Sequence, residues 1–371
     1  MSGIADAVVI GGGIQGCSTA LQLARRGLRV VLLEKDSVAR HASGVNAGGV
    51  RTLRRHEAEI RISLAAMRMW HDIEALLGGR YTGFAISGQV AIAETEADWA
   101  WVVERAKRLE ALGFSHEEKL DRKELYQMLP ALAPHCVGGL ISRTDGFASP
   151  YHTTIAFRDA AIEAGATVLQ GMPARDLSRS GGTWRVTTDD GAIDTAAVIN
   201  CAGAWAGMIA AQFGEAVPLE PIAPMMMVTA PMPAFVTQVV LGVGRKLSFK
   251  QAANGTVMIG GGHLGVPDTA AGTSSVDFRK LEASAQTASE LFPIMRSATL
   301  VRAWSGIESR LPDDIPVIGP SSTEPGLFHA FGFSAHGFQL GPVVGEIMAQ
   351  LVTTGGTQHP IAPFAVTRFL H

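Results

Sequence analysis

The sequence predicts an α/β fold with an α+β second domain, and three observations predict it. An apolar run, Ala7-Val8-Val9-Ile10, enters Gly11-Gly12-Gly13-Ile14-Gln15-Gly16, and a second run, Val30-Val31-Leu32-Leu33, stops at Glu34. Mid-chain, Val198-Ile199-Asn200 leads into a second glycine corner, Cys201-Ala202-Gly203-Ala204-Trp205. From Pro221 the pattern turns to short strands joined by hairpin signals, as an antiparallel sheet requires.

The first unit reads as a dinucleotide-binding βαβ. Ile14, Cys17, Leu21 and Ala24 recur at helical spacing and Gly27 supplies the stop. Gly11 allows the tight turn, Gly13 lets the backbone approach a pyrophosphate at the positive end of the helix, and Gly16 permits close helix–strand packing. Glu34 stands where a carboxylate accepts ribose hydroxyls. The loop Ala42-Ser43-Gly44-Val45-Asn46-Ala47-Gly48-Gly49 precedes a helix with Ile60, Leu64, Met67, Trp70, Ile73 and Leu77 on one side. Gly88–Ala93 reads as a strand, Asp98–Leu112 and Arg122–Leu129 as helices, and the stretch as an inserted domain. A helix through Ile155, Phe157 and Ile162 and the strand Ala166–Leu169 return to α/β character, followed by a hairpin about Asp189-Asp190-Gly191. Strands over Pro224–Ala230, Lys246–Gln251, Thr256–Gly260 and Leu300–Ile307 surround a helix over Asp277–Phe292. Leu327–Ala330 then enters Gly332-Phe333-Ser334-Ala335-His336-Gly337-Phe338-Gln339, and a helix from Pro342 to Leu351 places Pro just inside its start. Cofactor-binding segments at both termini predict interleaved domains.

Composition narrows the function. With 371 residues the chain buries a sizeable core, and a net charge of −3 with both signs interspersed offers no basic field for nucleic acid. A small-molecule ligand is expected. Three scattered cysteines, Cys17, Cys136 and Cys201, predict no disulfide framework, no zinc site and no iron–sulfur cluster held by this chain alone. Neither a leader nor a membrane-spanning segment is expected, and a reducing cytoplasm fits the cysteine usage. Peripheral membrane contact through an electron acceptor stays open.

With these residues in view, the chain resembles the FAD-dependent D-amino-acid and sarcosine oxidase superfamily over nearly its whole length. Four separated pieces carry the resemblance: GGGIQG with Glu34, ASGVNAGGVR, NCAGAWA, and DDIPVIGP followed by FGFSAHGFQLGP. It implies a Rossmann-like FAD-binding domain (1–80, 146–217 and 305–371) interleaved with an antiparallel-sheet substrate domain (81–145 and 218–304). It further implies that FAD meets Gly11, Gly13, Ile14, Gln15, Gly16, Glu34 and Lys35. Ser43, Asn46, Ala47, Gly48 and Gly49 would cover the flavin. Ala174, Ala202, Gly203, Trp205 and Gly306 would line its edge, with Gly332, Gly337, Phe338 and Gln339 beneath it. The implied reaction is oxidation of the C–N bond of an amino or imino acid, the closest likeness being to the catalytic subunits of dehydrogenases for sarcosine, D-hydroxyproline, opines or glycine.

Residue roles follow from that resemblance. Arg54 is placed as the carboxylate clamp, since the guanidinium fork binds carboxylate in two places. Arg51 is placed at the flavin edge, where positive charge favours the reduced anion. His336 would polarise the flavin or contact the amine, and a helix beginning near Gly341-Pro342 would aim its dipole at the flavin pyrimidine oxygen. Gln339 stands where monomeric sarcosine oxidases carry a lysine, and supplies no charge. The flavin-bonding cysteine of those enzymes is missing between Arg310 and Pro320, which predicts non-covalent FAD. Their oxygen-activating lysine falls within Val257-Met258-Ile259, all apolar, which favours a dehydrogenase with a partner subunit or other electron acceptor. Met225-Met226-Met227 and Cys201 read as core, Lys250 as solvated, and Trp304 and Phe249 as pocket candidates. No catalytic base is assigned. Two rivals remain: a 2-hydroxy-acid dehydrogenase of the same fold, and a flavin subunit that only relays electrons.

Overall fold

The computed structural model describes residues 3–370. Met1, Ser2 and His371, at the outer bounds of the expected FAD-binding domain, lie outside the described residues. An eight-stranded sheet gathers strands from widely separated parts of the chain, six in the order 176–180, 183–188, 191–200, 3–10, 30–34, 167–170, with 327–331 branching from 191–200 and 317–320 pairing antiparallel to 327–331. Gly3–Ile10 is parallel to both Val30–Glu34 and Gly191–Asn200, and Ala7–Ile10 is buried on both faces, as a central parallel strand must be. Gly191–Asn200 shares one edge between two partners. Its first half pairs antiparallel with 183–188, while Val198–Asn200 pairs parallel with 327–329. The register sets Ile10 against both Leu33 and Asn200, so three parallel strands end flush. That shared end is where an open α/β sheet holds a ligand.

A second eight-stranded sheet runs 300–305, 225–229, 257–260, 248–251, 239–242, 89–93, 138–142, 118–120, antiparallel except where 239–242 lies parallel to 89–93. Its core stacks Phe249 on Phe292 at 4.8 Å, with Met225, Met227, Leu281 and Leu291 around them. A three-stranded patch, 49–50 with 146–147 and 85–86, joins the loop after the first unit to this second sheet. Among the described residues no helix is long and apolar enough to cross a membrane.

The C-terminal helix departs from the sequence reading. It spans Gly337–Thr354, so Pro342 sits inside it and the N-terminus lies five residues before the expected one. Proline in a helix interior costs about 3 kcal/mol. Here burial outweighs it, because every residue from Gly337 to Gly345 is buried. The packing partner is the first helix, Ile14–Ala24. A Cβ on Gly341 would stand 2.7 Å from Ile14 Cγ1, and one on Gly345 would stand 2.1 Å from Ser18 Oγ and 2.6 Å from its carbonyl carbon. The expected strand over Leu300–Ile307 stops at Ser305, and a separate short strand, Glu308–Arg310, pairs with Glu220–Ile222. Gly306 lies in the break, where a Cβ would stand 2.0 Å from Val45 Cγ2.

Gly345→Ala should therefore force the two helices apart and destabilise the protein by about 1–3 kcal/mol. Gly356→Ala, whose Cβ meets nothing within 4 Å, should change stability by less than ~0.5 kcal/mol. Thermal and urea unfolding of the two variants checks the contrast.

Candidate active site

A cavity of about 750 Å³ opens at the flush strand ends, between the two large sheets. Two helix N-termini converge on it. Ile14–Ala24 begins there, Gly337–Thr354 begins there, and Gln15 Nε2 ties them by donating to the Gly337 carbonyl at 2.8 Å. Both positive dipole ends thus face one space. Gln15 Oε1 is buried without a hydrogen-bond partner, so an acceptor stands free beside the cavity.

Glu34 closes one end. It is 7 % exposed, and its oxygens accept the Gly12 N–H at 2.6 Å and the Asp36 N–H at 2.8 Å. Lys35 Nζ lies 4.0 Å over the Trp205 ring, and Trp205 donates to the Thr269 carbonyl, bracing the rim. Gly11, at φ 112°, would place a Cβ 2.3 Å from the Cys201 carbonyl oxygen, and Gly13 would place one 2.9 Å from Ser43 Oγ. Gly11, Gly13, Ile14, Gln15, Ala174, Ala202, Gly203 and Trp205 line this half. Gly16 does not, because it packs helix on strand, with a Cβ position 1.9 Å from the Gly11 carbonyl oxygen.

The loop 42–49 forms one wall. Ser43 Oγ accepts the Ile14 N–H at 2.9 Å, Asn46 bonds both Ala42 O and Gly48 N, and Trp304 Nε1 donates to Val45 O at 2.8 Å. Ser43, Asn46, Ala47, Gly49 and Gly306 reach the cavity, whereas Gly48 lies behind it, its Cβ position 2.2 Å from the Ala148 carbonyl oxygen. Trp304 and Phe249 are not among the lining residues. The first braces the loop and the second packs in the core.

Three consecutive-turn arginines dominate the other half. Arg51 donates to the Leu53 carbonyl at 2.6 Å, and Arg54 donates to the Gly242 carbonyl and lies 5.1 Å over the Trp101 ring. Among the described residues neither guanidinium meets a carboxylate within ion-pair distance. Nearby Glu117 is already engaged. It grips Arg105 through both oxygens at 2.6 and 2.7 Å, and takes only the backbone N–H of Arg54. That bond holds Arg54 at φ 60°, a conformation non-glycine residues rarely adopt. Asp145 fixes the turn between the two arginines by accepting the Thr52 and Leu53 amides at 2.8 and 2.9 Å and the Thr52 hydroxyl at 2.7 Å. Burial and the neighbouring Arg51 and Arg105 charges lower the Arg54 pKa to about 10, so it stays charged at neutral pH.

Arg55 was not picked out from the sequence, although it belongs to the same run. It is 2 % exposed and spends its donors on the carbonyls of Arg51 and His336 and on Gln339 Oε1. Gln339, expected beneath the flavin, is not among the residues that line the cavity. It is fully buried behind the cavity, also bonding Ser63 through Oε1 and Nε2, because a helix starting at Gly337 turns its third residue inward. His336 does line the cavity, but both ring nitrogens have protein partners: Nδ1 the Ser334 carbonyl at 2.9 Å and Nε2 Glu59 Oε1 at 3.0 Å. A carbonyl only accepts, so Nδ1 carries the proton directed at Ser334, and burial outweighs the Glu59 bond and charge to lower the His336 pKa. Burial pushes the Glu59 carboxyl up, but the His336 bond and the His336, Arg55 and Arg51 charges outweigh it and the net shift is down. Gly332, Gly337 and Phe338 complete this wall.

Other readings need correction. Lys250 is not solvated. It is 8 % exposed, 4.5 Å over the Phe147 ring and behind the lining, and burial lowers its pKa to about 8. Met225 and Met226 line the cavity while Met227 stays in the core. Cys201 also lines it, with burial pushing its thiol up to about 12, which removes its nucleophilicity. Glu308, which sequence reading passed over, reaches the cavity as well.

Strand ends, paired helix N-termini and a strand-end carboxylate define a dinucleotide-dependent oxidoreductase. The glycine cradle that any Cβ would fill and the free Gln15 acceptor suit a pyrophosphate and its waters. The FAD dependent oxidoreductase (DAO) family profile matches residues 6–351, so the chain belongs to that family and takes FAD as its cofactor. It is 26% identical over 380 residues to glycine oxidase of Geobacillus kaustophilus, covering 98% of this chain and 97% of that protein. Hydrogen cyanide synthase subunit HcnC of Pseudomonas aeruginosa is 24% identical over 408 residues, covering 98% and 96%. The crystal structure of L-proline dehydrogenase from P. horikoshii is similar at a TM-score of 0.92 and 25% identity, covering 100% of this chain and 98% of that one.

Glu34→Ala should weaken FAD binding, read as loss of flavin during gel filtration, by the one to two orders of magnitude that about 1.5–3 kcal/mol per charge-assisted bond implies. Acid precipitation of the wild type should release all of the flavin into the supernatant.

Proposed function

We propose that the protein oxidises the C–N bond of a small amino or imino acid. The observation that carries this reading is the pair of guanidiniums, Arg51 and Arg54, that share the cavity with two helix N-termini and have donors to spare. A buried cation without a counter-ion is costly unless a ligand supplies one, and a substrate carboxylate does so in the two-pronged geometry a guanidinium favours. The names of the relatives agree, glycine oxidase and L-proline dehydrogenase both being amino-acid enzymes. Bound FAD would accept hydride at N5 from the carbon bearing nitrogen, and the resulting imine would be hydrolysed by water. Arg54 would clamp the carboxylate, Arg51 would hold positive charge near the flavin, and the His336–Glu59 pair would set the shape and charge of the adjoining wall.

The finer assignment is a dehydrogenase for a sarcosine-, D-hydroxyproline-, opine- or glycine-like substrate. Support comes from the apolar Val257–Ile259 strand and from Lys250, which stands behind the covering loop. The likeness to a subunit, HcnC, supports a partner chain that carries the electrons onward. Residues 1–80, 146–217 and 305–371 would form the cofactor domain, and 81–145 and 218–304 the substrate domain.

A panel of D- and L-amino acids, proline derivatives, sarcosine, opines and 2-hydroxy acids, mixed anaerobically with the holoenzyme, should bleach the flavin only with one amine class. Arg54→Ala should raise the half-saturating concentration about 10–100-fold and leave flavin content unchanged. Bleaching by hydroxy acids alone would overturn the amine reading, and bleaching by none would leave electron relay. Turnover with an artificial acceptor should exceed turnover with oxygen.

A further inference from the structure

The amine chemistry proposed above needs a group to take the proton of the substrate ammonium, because only the neutral amine can release hydride. His336 is committed on both ring nitrogens, and Arg51 and Arg54 are cations. Two carboxyls, Glu34 and Glu308, line the cavity, and Glu34 is taken up by the Gly12 and Asp36 amides, which leaves Glu308. It lies on the short strand Glu308–Arg310, with Oε1 accepting the Ala335 N–H at 2.8 Å. That bond fastens it beside a turn in which Ser334 and Ala335 take φ of 49° and 65°, two successive non-glycine residues in the left-handed region. Such strain persists only where the surroundings enforce it, and it gathers at functional positions. Oε1 has this one backbone partner, and Oε2 has none among the described hydrogen bonds.

We propose that Glu308 is a catalytic residue: its carboxylate receives the proton from the substrate ammonium, so that substrate enters as the zwitterion and reacts as the free amine. The inference rests on the amino-acid reading above. In balance, the N–H proton passes to Glu308, hydride leaves the neighbouring carbon for the flavin with its electron pair, and the nitrogen lone pair forms the C=N bond. Glu308 later returns the proton to solvent.

The surroundings suit the task. Burial raises the Glu308 pKa to about 7, opposed only by the Ala335 N–H. The charged groups on neighbouring elements are otherwise occupied. Arg310 pairs with Asp314, Glu220 lies opposite Arg310 rather than Glu308, His41 pairs with Asp36, and His336 with Glu59. Arg51 and Arg54 share the same cavity. An alkylammonium titrates near 10, about three units above Glu308. Taking it out of water into the cavity lowers its pKa and narrows that gap.

The test compares wild type, Glu308→Gln and Glu308→Asp as holoenzymes. Glutamine keeps an acceptor for Ala335, and flavin content reports on folding. The first readout is the anaerobic bleaching rate against pH with whichever amino acid bleaches the wild type. The second is the affinity of 2-aminoisobutyrate, which lacks the hydrogen to be lost, followed by the flavin spectrum. In wild type both should rise as pH rises through about 7, where the accepting carboxylate forms. Glu308→Asp should keep that limb at a lower rate. Glu308→Gln should lose the limb from the affinity profile, push the rate limb up toward the amine's own pKa, and bleach about 100–1000-fold more slowly at pH 7. Identical profiles in wild type and Glu308→Gln would overturn the assignment to Glu308 while leaving amine oxidation standing. Failure of every amine to bleach the wild type would remove the amine reading itself, and this inference with it.

Discussion

Much of this structure depends on holding positive charge in a closed space without neutralising it. Arg51, Arg54 and Arg55 all reach one cavity, and three carboxylates close at hand are each prevented from pairing with Arg51 or Arg54. Glu117 is claimed by Arg105, Glu59 by His336, and Asp145 by the amides of the turn itself. The loop carrying the arginines is thus fixed by carboxylates whose charge is used up in fixing it. What is left over is a pair of guanidinium forks with no anion of their own, joined by two helix dipoles of the same sign.

This arrangement links fold to chemistry. The first sheet supplies flush strand ends and a helix N-terminus, and the C-terminal helix supplies a second N-terminus because glycines at 341 and 345 let it lie against the first. The second sheet closes over the cavity and brings Gly242 to Arg54. Electrostatic preorganisation of this kind lowers barriers because the dipoles and charges are in place before charge develops on the reacting groups. It also explains why the arginine turn is so heavily buttressed. A guanidinium free to move would find Glu117 or Glu59 and be neutralised.

Sequence reading recovered the parts whose signals are local. The Gly11–Gly16 turn, Glu34, the covering loop and the Cys201–Trp205 corner are contiguous motifs with a fixed backbone logic, and all of them contribute residues to the cavity wall. Arg51 and Arg54 were singled out through the family resemblance, and both line the cavity. The misses were matters of side-chain direction. The helix expected at Pro342 starts at Gly337, since burial against Ile14 and Ser18 overrides the cost of an interior proline, and that shift rotates Gln339 away from the cavity. Lys250 alternates inward on its strand under Gly48, which spacing alone does not reveal. Glu308 carried a usable signal, an acid between Ile307 and Ser309 beside a glycine break. Its significance depends on the Ala335 amide, 27 residues on, which no periodicity announces.

Two unpaired guanidiniums and two helix N-termini suit this cavity to an anion held beside bound flavin. The most direct measurement of that fit is the affinity of acetate and of acetamide for the oxidised holoenzyme, followed by flavin absorbance, in wild type and in Arg51→Met with Arg54→Met. The two ligands have the same size and shape and differ in charge. Acetate should bind and acetamide should not, with acetate binding lost in the double variant while flavin remains bound. Equal binding of the two ligands, or acetate binding that survives both substitutions, would contradict the account.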